Sequence, residues 1–140
     1  MAENDRASVL KRALEACFHG EVDALPDLFT EDVSGWSPNM LVASRAELAE
    51  VVAERDASLS DVSLTVDILD VIGNKGYAEY RVNAVFSAPF VIDEDTVIEP
   101  NGRELLLGAA FVAEFSGDSI SAFRNYFDNA ALLEQMLVAA

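Results

Sequence analysis

The hydrophobic period of this sequence changes at Ser60, and that change constrains the fold more than any other feature. From Ser60 to Phe127, apolar and polar residues alternate with a period of two, as they do in β-strands. Before and after this region, the apolar residues recur at the spacing of amphipathic helices. The order predicts an α+β fold in which helices cover one face of a curved, mostly antiparallel sheet.

Turn residues divide the β region into strands. Gly73–Gly76 predict a hairpin turn, and the apolar phase moves from Ile68 to Leu69, which predicts a bulge or a sharp bend before that turn. The other predicted elements are a long strand over 77–92, an acidic loop over 93–102, a strand over 103–115 and a last strand ending at Phe127. The region therefore predicts consecutive antiparallel strands.

Capping residues mark the predicted helices. Ser44 and Glu47 have the spacing of a capping box, and Asp128 or Asn129 can cap a closing helix. The predicted elements outside the β region are a helix over 6–18, a short helix with Asp23 as N-cap, a strand over 32–38 that carries Trp36, a helix over 44–58 and the closing helix.

Composition narrows the class of protein and its partners. The chain has 140 residues, 51% of them hydrophobic, and a net charge of −16. These values indicate one globular domain over residues 1–140, and the acidic excess would repel nucleic acid and anionic membranes. No apolar run approaches a membrane span and the first residues are polar, so we expect a cytoplasmic protein. The single cysteine, Cys17, falls on the apolar face of the first helix, which favours a core position.

Two phrases of the sequence resemble a known superfamily. HGEVDALPDLFTEDV near the start and SISAFRNYFDNAALLEQM at the end resemble the nuclear transport factor 2-like superfamily and, within it, the SnoaL-like polyketide cyclases. The resemblance covers nearly the whole chain and implies a cone-shaped domain with an apolar pocket between sheet and helices. It also implies a homodimer through the outer sheet face. The superfamily includes isomerases, epoxide hydrolases, cyclases and non-catalytic proteins, so fold alone does not assign a reaction.

The last strand, with RNYFD, is similar to that of the limonene epoxide hydrolases. The catalytic Arg and two Asp of that branch fall on Arg81, Asn83 and Asn125 of this chain. The Arg is kept, but both carboxylates are replaced by amides, which cannot take a proton from water at neutral pH. The resemblance therefore implies that this hydrolytic mechanism does not operate here unchanged.

Two other branches also lose their catalytic residues in this chain. The Tyr, the base Asp and the protonated Asp of the ketosteroid isomerases fall near Ala13, Ser37 and Phe111. The cyclases depend on a pocket His, and the single histidine here, His19, lies in a predicted turn between helices. These mismatches leave the reaction unassigned.

The long strand carries the candidate catalytic residues. Its period of two places Tyr77, Glu79, Arg81, Asn83 and Val85 on one face, and the resemblance assigns this polar face to the pocket. Glu79 is then a candidate general base and Arg81 an electrophile or ligand anchor. The alternative is a structural ion pair between the two, or Glu79 in water at the pocket rim.

The remaining candidates are ligand-binding residues. Asn83 and Asn125 could hold a hydroxyl or carbonyl group, or could satisfy each other. The set also includes Tyr77, Trp36 and Ser37, with Trp36 walling the pocket or the core. The sequence has no cluster of Cys or His with metal-ligand spacing and no glycine-rich phosphate loop, so we expect neither a metal nor a cofactor.

Two functions fit these observations. One is an enzyme that isomerises, cyclises or opens the epoxide of an apolar cyclic, polyketide- or terpenoid-like metabolite. The other is a non-catalytic ligand-binding or interaction module of the same fold. We also expect a homodimer, because the strand segment Leu105–Ala113 is apolar on both faces and the helices cover one face of the sheet.

Overall fold

Residues 3–139 are described by a computed structural model, with side chains from residue 5 onward. The helices are α1 (Glu3–Phe18), α2 (Arg45–Ser58) and α3 (Asn129–Leu137), with a 3₁₀ helix at Val22–Asp27. The strands are β1 (Phe29–Ser37), β2 (Met40–Val42), β3 (Leu59–Ile72), β4 (Lys75–Phe86), β5 (Phe90–Asp93), β6 (Thr96–Ile98), β7 (Glu104–Ser116) and β8 (Ser119–Phe127). The predicted α+β fold is confirmed. Among the described helices, none combines the length and apolar character needed to cross a membrane.

Six strands form one curved sheet in the order β2-β1-β8-β7-β4-β3. All neighbours in it are antiparallel except β1 and β8, which are parallel. In the β3–β4 pairing, Val66 lies opposite Tyr80 and Ile68 lies opposite Glu79, so Asp67 is an extra residue. This is the bulge that the phase shift predicted, and it explains why the apolar residues change parity there.

Three local predictions are wrong. The strand predicted over 77–92 ends at Phe86, because Pro89 lacks the N–H that a central strand must donate. The chain resumes as β5, which forms a separate two-stranded sheet with β6, a strand that lies inside the predicted acidic loop. The short second helix is a 3₁₀ helix, and its N-cap is Glu21 rather than Asp23; Glu21 makes no side-chain capping bond.

Both remaining caps form as predicted. Ser44 Oγ accepts a hydrogen bond from the Glu47 N–H (3.1 Å), and Glu47 Oε1 accepts one from the Ala43 N–H (2.7 Å). Asp128 Oδ1 accepts a hydrogen bond from the Ala131 N–H at 3.0 Å. These bonds satisfy N–H groups that have no partner within α2 and α3, and so fix where each helix begins.

The core lies between the helices and the inner face of the sheet. On β4, Ala78, Tyr80, Val82 and Ala84 are buried, while the residues between them are exposed or half-buried. A smaller apolar cluster joins the ends of β4 and β7 to β6 and α3 through Phe86, Leu105, Ile98 and Met136. The space between the main core and this cluster holds the candidate site.

Candidate functional site

A cavity of about 390 Å³ opens between the inner sheet face, α2, α3 and β5. Its walls are mainly apolar and include Val82 and Ala84 of β4, Leu105 and Leu107 of β7, and Leu132 and Leu133 of α3. Side chains alternate between the two faces along a β-strand, so the lining residues of β4 and β7 all lie on the inner face of the sheet. The volume lies within the range of small-molecule sites in proteins.

A buried hydrogen-bonded pair lies on the sheet side of this cavity. Tyr80 is 1% exposed and Asn125, which lines the cavity, is 7% exposed. The Tyr80 hydroxyl donates to Asn125 Oδ1 at 2.7 Å. The Asn125 NH₂ group donates no hydrogen bond to any residue in the described part of the chain. It is therefore free to donate to a ligand oxygen.

Arg55 of α2 brings a positive charge to the same cavity. Its guanidinium carbon lies 4.9 Å from the centre of the Phe18 ring, and the Phe18 ring centre lies 5.4 Å from that of Tyr80. Arg55, Phe18 and Asn125 all line the cavity. Contacts through Phe18 and Tyr80 thus connect the guanidinium to the buried amide.

Polar residues are also found around the cavity. The Asn39 amide donates to Asn129 Oδ1 at 3.4 Å, and the Ser37 hydroxyl donates to Asn39 Oδ1 at 3.0 Å. Asn39 and Asn129 line the cavity. Glu54, an exposed residue of α2, supplies the one carboxylate among the described lining residues.

The structure places Glu79, Arg81, Asn83 and Tyr77 on the opposite side of the sheet from the cavity, so assigning this face to the pocket is wrong. The inner face of β4 belongs to the residues between them, which are buried. Arg81 Nε donates to Asp67 Oδ2 at 2.8 Å, and both side chains are well exposed. The Tyr77 hydroxyl donates to Glu79. The predicted Glu79–Arg81 ion pair is replaced by these two contacts.

The other predicted ligand-binding residues are likewise divided between the outer and inner faces of the sheet. Trp36 lies on the outer sheet face, 41% exposed, with its ring centre 5.4 Å from that of Tyr126. Its assignment to the pocket is wrong, because β1 turns Val33, Gly35 and Ser37 inward instead. Ser37 is buried and holds Asn39 rather than lining the cavity itself. Of the predicted site residues, Asn125 is the one that lines the cavity.

The sequence analysis missed the residues that α2 contributes. Leu48, Val51 and Val52 recur at helical spacing, and the same spacing continues to Arg55 and Ser58. Both line the cavity, and the Ser58 hydroxyl donates to the Pro89 carbonyl at 3.0 Å, which ties the end of α2 to the start of β5. Continuing the helical period by one turn would have identified them.

The other reactive side chains in the described part of the chain do not form a second candidate site. Burial raises the pKa of Cys17 to about 11, and burial also raises the pKa of Tyr80. Both groups therefore stay protonated at neutral pH. His19 is exposed just after α1. In the described portion of the chain, no three His, Cys, Asp or Glu side chains group as a metal site, and the expectation of no cofactor stays a prediction.

The family of this chain follows from its sequence. The profile of the family described as SnoaL-like polyketide cyclase matches residues 8–136. The chain belongs to the SnoaL-like polyketide cyclase family. The family resemblance predicted from the two terminal phrases is thereby confirmed. No curated protein matches the chain in sequence.

Several solved structures share the fold of this SnoaL-like protein. A SnoaL-like protein from Jannaschia sp. CCS1 superposes with a TM-score of 0.86 at 13% identity, covering 99% of this chain and 95% of its own. TsrD from Streptomyces laurentii gives 0.82 at 17% identity, covering 98% of each chain. An LEH-like epoxide hydrolase of M. tuberculosis gives 0.72 at 11% identity, covering 96% of this chain and 91% of its own. At these identities the likeness supports the fold alone.

Proposed function

We propose that this SnoaL-like protein binds an apolar cyclic, polyketide- or terpenoid-like metabolite in its cavity and acts on it by isomerisation, cyclisation or epoxide opening. The observation that carries the proposal is a mainly apolar cavity of about 390 Å³ beside a buried amide with unused N–H donors. Apolar walls favour a ring system, and one buried donor group orients a single oxygen on it. No resident cofactor is needed for such chemistry.

Residues of the cavity can supply acid–base chemistry. Glu54 can take a proton from a carbon next to a carbonyl group, and Asn125 can donate to the oxygen on which negative charge then develops. Proton abstraction of this kind begins both isomerisation and aldol cyclisation. Glu54 therefore takes the role that the sequence analysis gave to Glu79.

Two adjacent leucines, which lie on opposite faces of β7, provide a test of the cavity. Leu107 lines the cavity, whereas Leu106 is 55% exposed on the outer sheet face. Leu107→Trp is expected to fill the cavity and weaken binding of the neutral fluorescent probe N-phenyl-1-naphthylamine, whereas Leu106→Trp should leave its affinity close to wild type. Titration of probe fluorescence measures both. Equal affinities in the two variants, or no binding by the wild type, would contradict the proposal.

A non-catalytic binding function is the second candidate, and one observation favours it. Among the described lining residues Glu54 is the single carboxylate and there is no histidine, while Cys17 and Tyr80 have raised pKa values. If Glu54 does not act as a base, no other carboxylate or histidine among the described lining residues can take its place. Probe binding without any proton transfer would support this function.

We also propose that the protein is a homodimer joined through the outer sheet face, defined here as the outward residues of β1, β8, β7 and β4. Three aromatic side chains are exposed on it: Trp36 (41%), Tyr77 (38%) and Tyr126 (46%). Exposed rings grouped on one face favour a partner. Because a two-fold axis brings a surface against itself, the same face must tolerate its own charges.

Lys75, Arg81 and Arg124 lie on this face and offset part of the charge of its carboxylates. Glu114 pairs with Lys75 (2.7 Å) and with Arg124 (3.1 Å), and Arg81 pairs with Asp67 across the β4–β3 edge. The chain carries a net charge of −16. Two copies would repel each other less through this face than through most others, which favours a second copy as the occupant.

A charge placed at the centre of this face should separate the two copies. Ala110 lies between Glu79 and Tyr126 in the sheet, so Ala110→Glu adds a carboxylate beside Glu79 in both protomers. Light scattering should give twice the chain mass of 15.1 kDa for the wild type and 15.1 kDa for the variant. Val97→Glu, on an exposed residue of β6, is the control and should remain dimeric. A wild type of 15.1 kDa at micromolar concentration would refute the dimer.

A further inference from the structure

Arg55 differs from the other arginines in lacking a protein acceptor. Within the described side chains, residues 5–139, its guanidinium makes neither a hydrogen bond nor an ion pair. Each of the other six donates to a carboxylate or to a backbone carbonyl. They are Arg6, Arg12, Arg45, Arg81, Arg103 and Arg124. In a chain with 25 acidic residues, a half-buried arginine without a carboxylate partner is unexpected.

The surroundings of Arg55 do not neutralise its charge. The guanidinium lies over the Phe18 ring, and its charge acts on Cys17 and Tyr80, whose side chains are both neutral at physiological pH. Glu54, the residue before Arg55 in α2, lines the same cavity without forming an ion pair with it. An arginine stays protonated in proteins, so the cavity holds a fixed positive charge.

A partly buried guanidinium loses hydration that its protein neighbours do not replace. An anionic oxygen of a ligand would replace it, because guanidinium N–H groups donate strong, charge-assisted hydrogen bonds to such groups. The Asn125 NH₂ group on the sheet wall offers further donors to the same ligand. The long-range field of a chain with a net charge of −16 opposes any anion, so selectivity must come from local contacts of this kind.

We propose that Arg55 selects ligands in which an apolar ring system carries one anionic oxygen group, a carboxylate, phenolate or enolate. The inference rests on the proposed function, since it assigns a ligand class to the same cavity. Arg55 is the specificity-determining residue, and Asn125 assists it by donating to an oxygen of the ligand. A neutral ring compound of the same shape binds in the cavity without using Arg55.

The first experiment uses the wild-type protein and needs no substitution. 2-Naphthoate and 2-naphthamide have the same ring system and differ in charge, and each is titrated against bound N-phenyl-1-naphthylamine. The naphthoate should displace the probe at about ten- to hundredfold lower concentration, as expected for a hydrogen-bonded charge pair. Equal potency, or stronger displacement by the amide, would overturn the assignment.

The second experiment assigns the selectivity to Arg55. Arg55→Met removes the charge and keeps an apolar stem, whereas Lys11→Met removes one exposed charge from α1, away from the cavity. The Arg55 variant should lose the preference for naphthoate over naphthamide, whereas the Lys11 variant should keep both this preference and its affinity for the probe. Arg55→Lys retains a positive charge and should keep part of the preference for naphthoate. This variant keeps the inference testable if Arg55→Met does not fold.

The outcomes separate this inference from the proposed function. Failure of the neutral probe to bind the wild type refutes the proposed function and the inference together. Probe binding with no preference for the anion refutes the inference alone. A preference that persists in Arg55→Met, or that falls equally in Lys11→Met, also overturns the role of Arg55.

Discussion

Replacing Glu54 with glutamine is expected to remove most of the protein's ability to exchange the α-protons of an apolar cyclic ketone. Proton NMR in D₂O follows this exchange on 2-tetralone, a bicyclic ketone of the proposed ligand class. In the proposed reaction, the Glu54 carboxylate takes the α-proton, the C–H electron pair forms the enolate, and a deuteron then adds to the same carbon. Because an amide cannot accept that proton, the rate above buffer should fall by about 10²–10⁴-fold.

Glu50→Gln is the matched control for this change. Glu50 is an exposed residue of α2 one turn before Glu54, and it does not line the cavity. Its variant should exchange tetralone protons at the wild-type rate, and both variants should bind N-phenyl-1-naphthylamine as the wild type does. A wild type that binds tetralone without accelerating exchange would instead favour the non-catalytic function. Equal losses in the two variants would remove Glu54 as the base.

Gly35→Ala is expected to be strongly destabilising, although it adds only a methyl group. Gly35 lies directly opposite Phe123 in the parallel β1–β8 pairing, and a Cβ at Gly35 would overlap the Phe123 ring. The ring cannot move aside, because it stacks on Phe111 at 5.2 Å and meets the edge of Phe29 at 5.8 Å. Urea denaturation should show a loss of about 1–3 kcal/mol in the free energy of unfolding.

A double-mutant cycle identifies the overlap as the cause. In a Phe123→Leu background the ring is absent, so adding Gly35→Ala should cost about 1 kcal/mol less than it costs in the wild type. An equal cost in both backgrounds would show that the glycine is needed for another reason. In the wild-type background, Gly35→Ala should also weaken the binding of N-phenyl-1-naphthylamine. Asn125 follows Phe123 by two residues on the inner face of β8 and is therefore close to the overlap.

The fold was predictable because local signals agree with the tertiary structure. The period change at Ser60, the capping box at Ser44 and the phase shift after Ile68 each produced the expected element. The parallel pairing of β1 with β8 has no local signal, since it joins segments far apart in the sequence. The β5–β6 hairpin was missed because β5 was predicted as the end of the long strand and β6 as part of the acidic loop, although Pro89 marked the break.

The candidate site was only partly predictable, and β4 shows why. Its period separates two faces, with Glu79 and Arg81 on one and Tyr80, Val82 and Ala84 on the other. Period alone cannot say whether a polar face contacts solvent or a pocket. Here the pocket is mainly apolar, so its face resembles an ordinary core, and the polar face is the outer one. Arg55 was missed because a charge on a helix is usually a solvated residue.

The parallel pairing of β1 with β8 also determines when the cavity can form during folding. β1 is the first and β8 the last of the described strands along the sequence, and the Asn39–Asn129 hydrogen bond joins residues 90 apart in sequence. Closing so long a loop is entropically costly, so this pairing should follow the local hairpins. Because β8 carries Asn125, the candidate site is complete only after β1 and β8 have paired. Probe fluorescence during refolding would therefore report the completion of this last step, whereas far-UV circular dichroism would report the earlier ones.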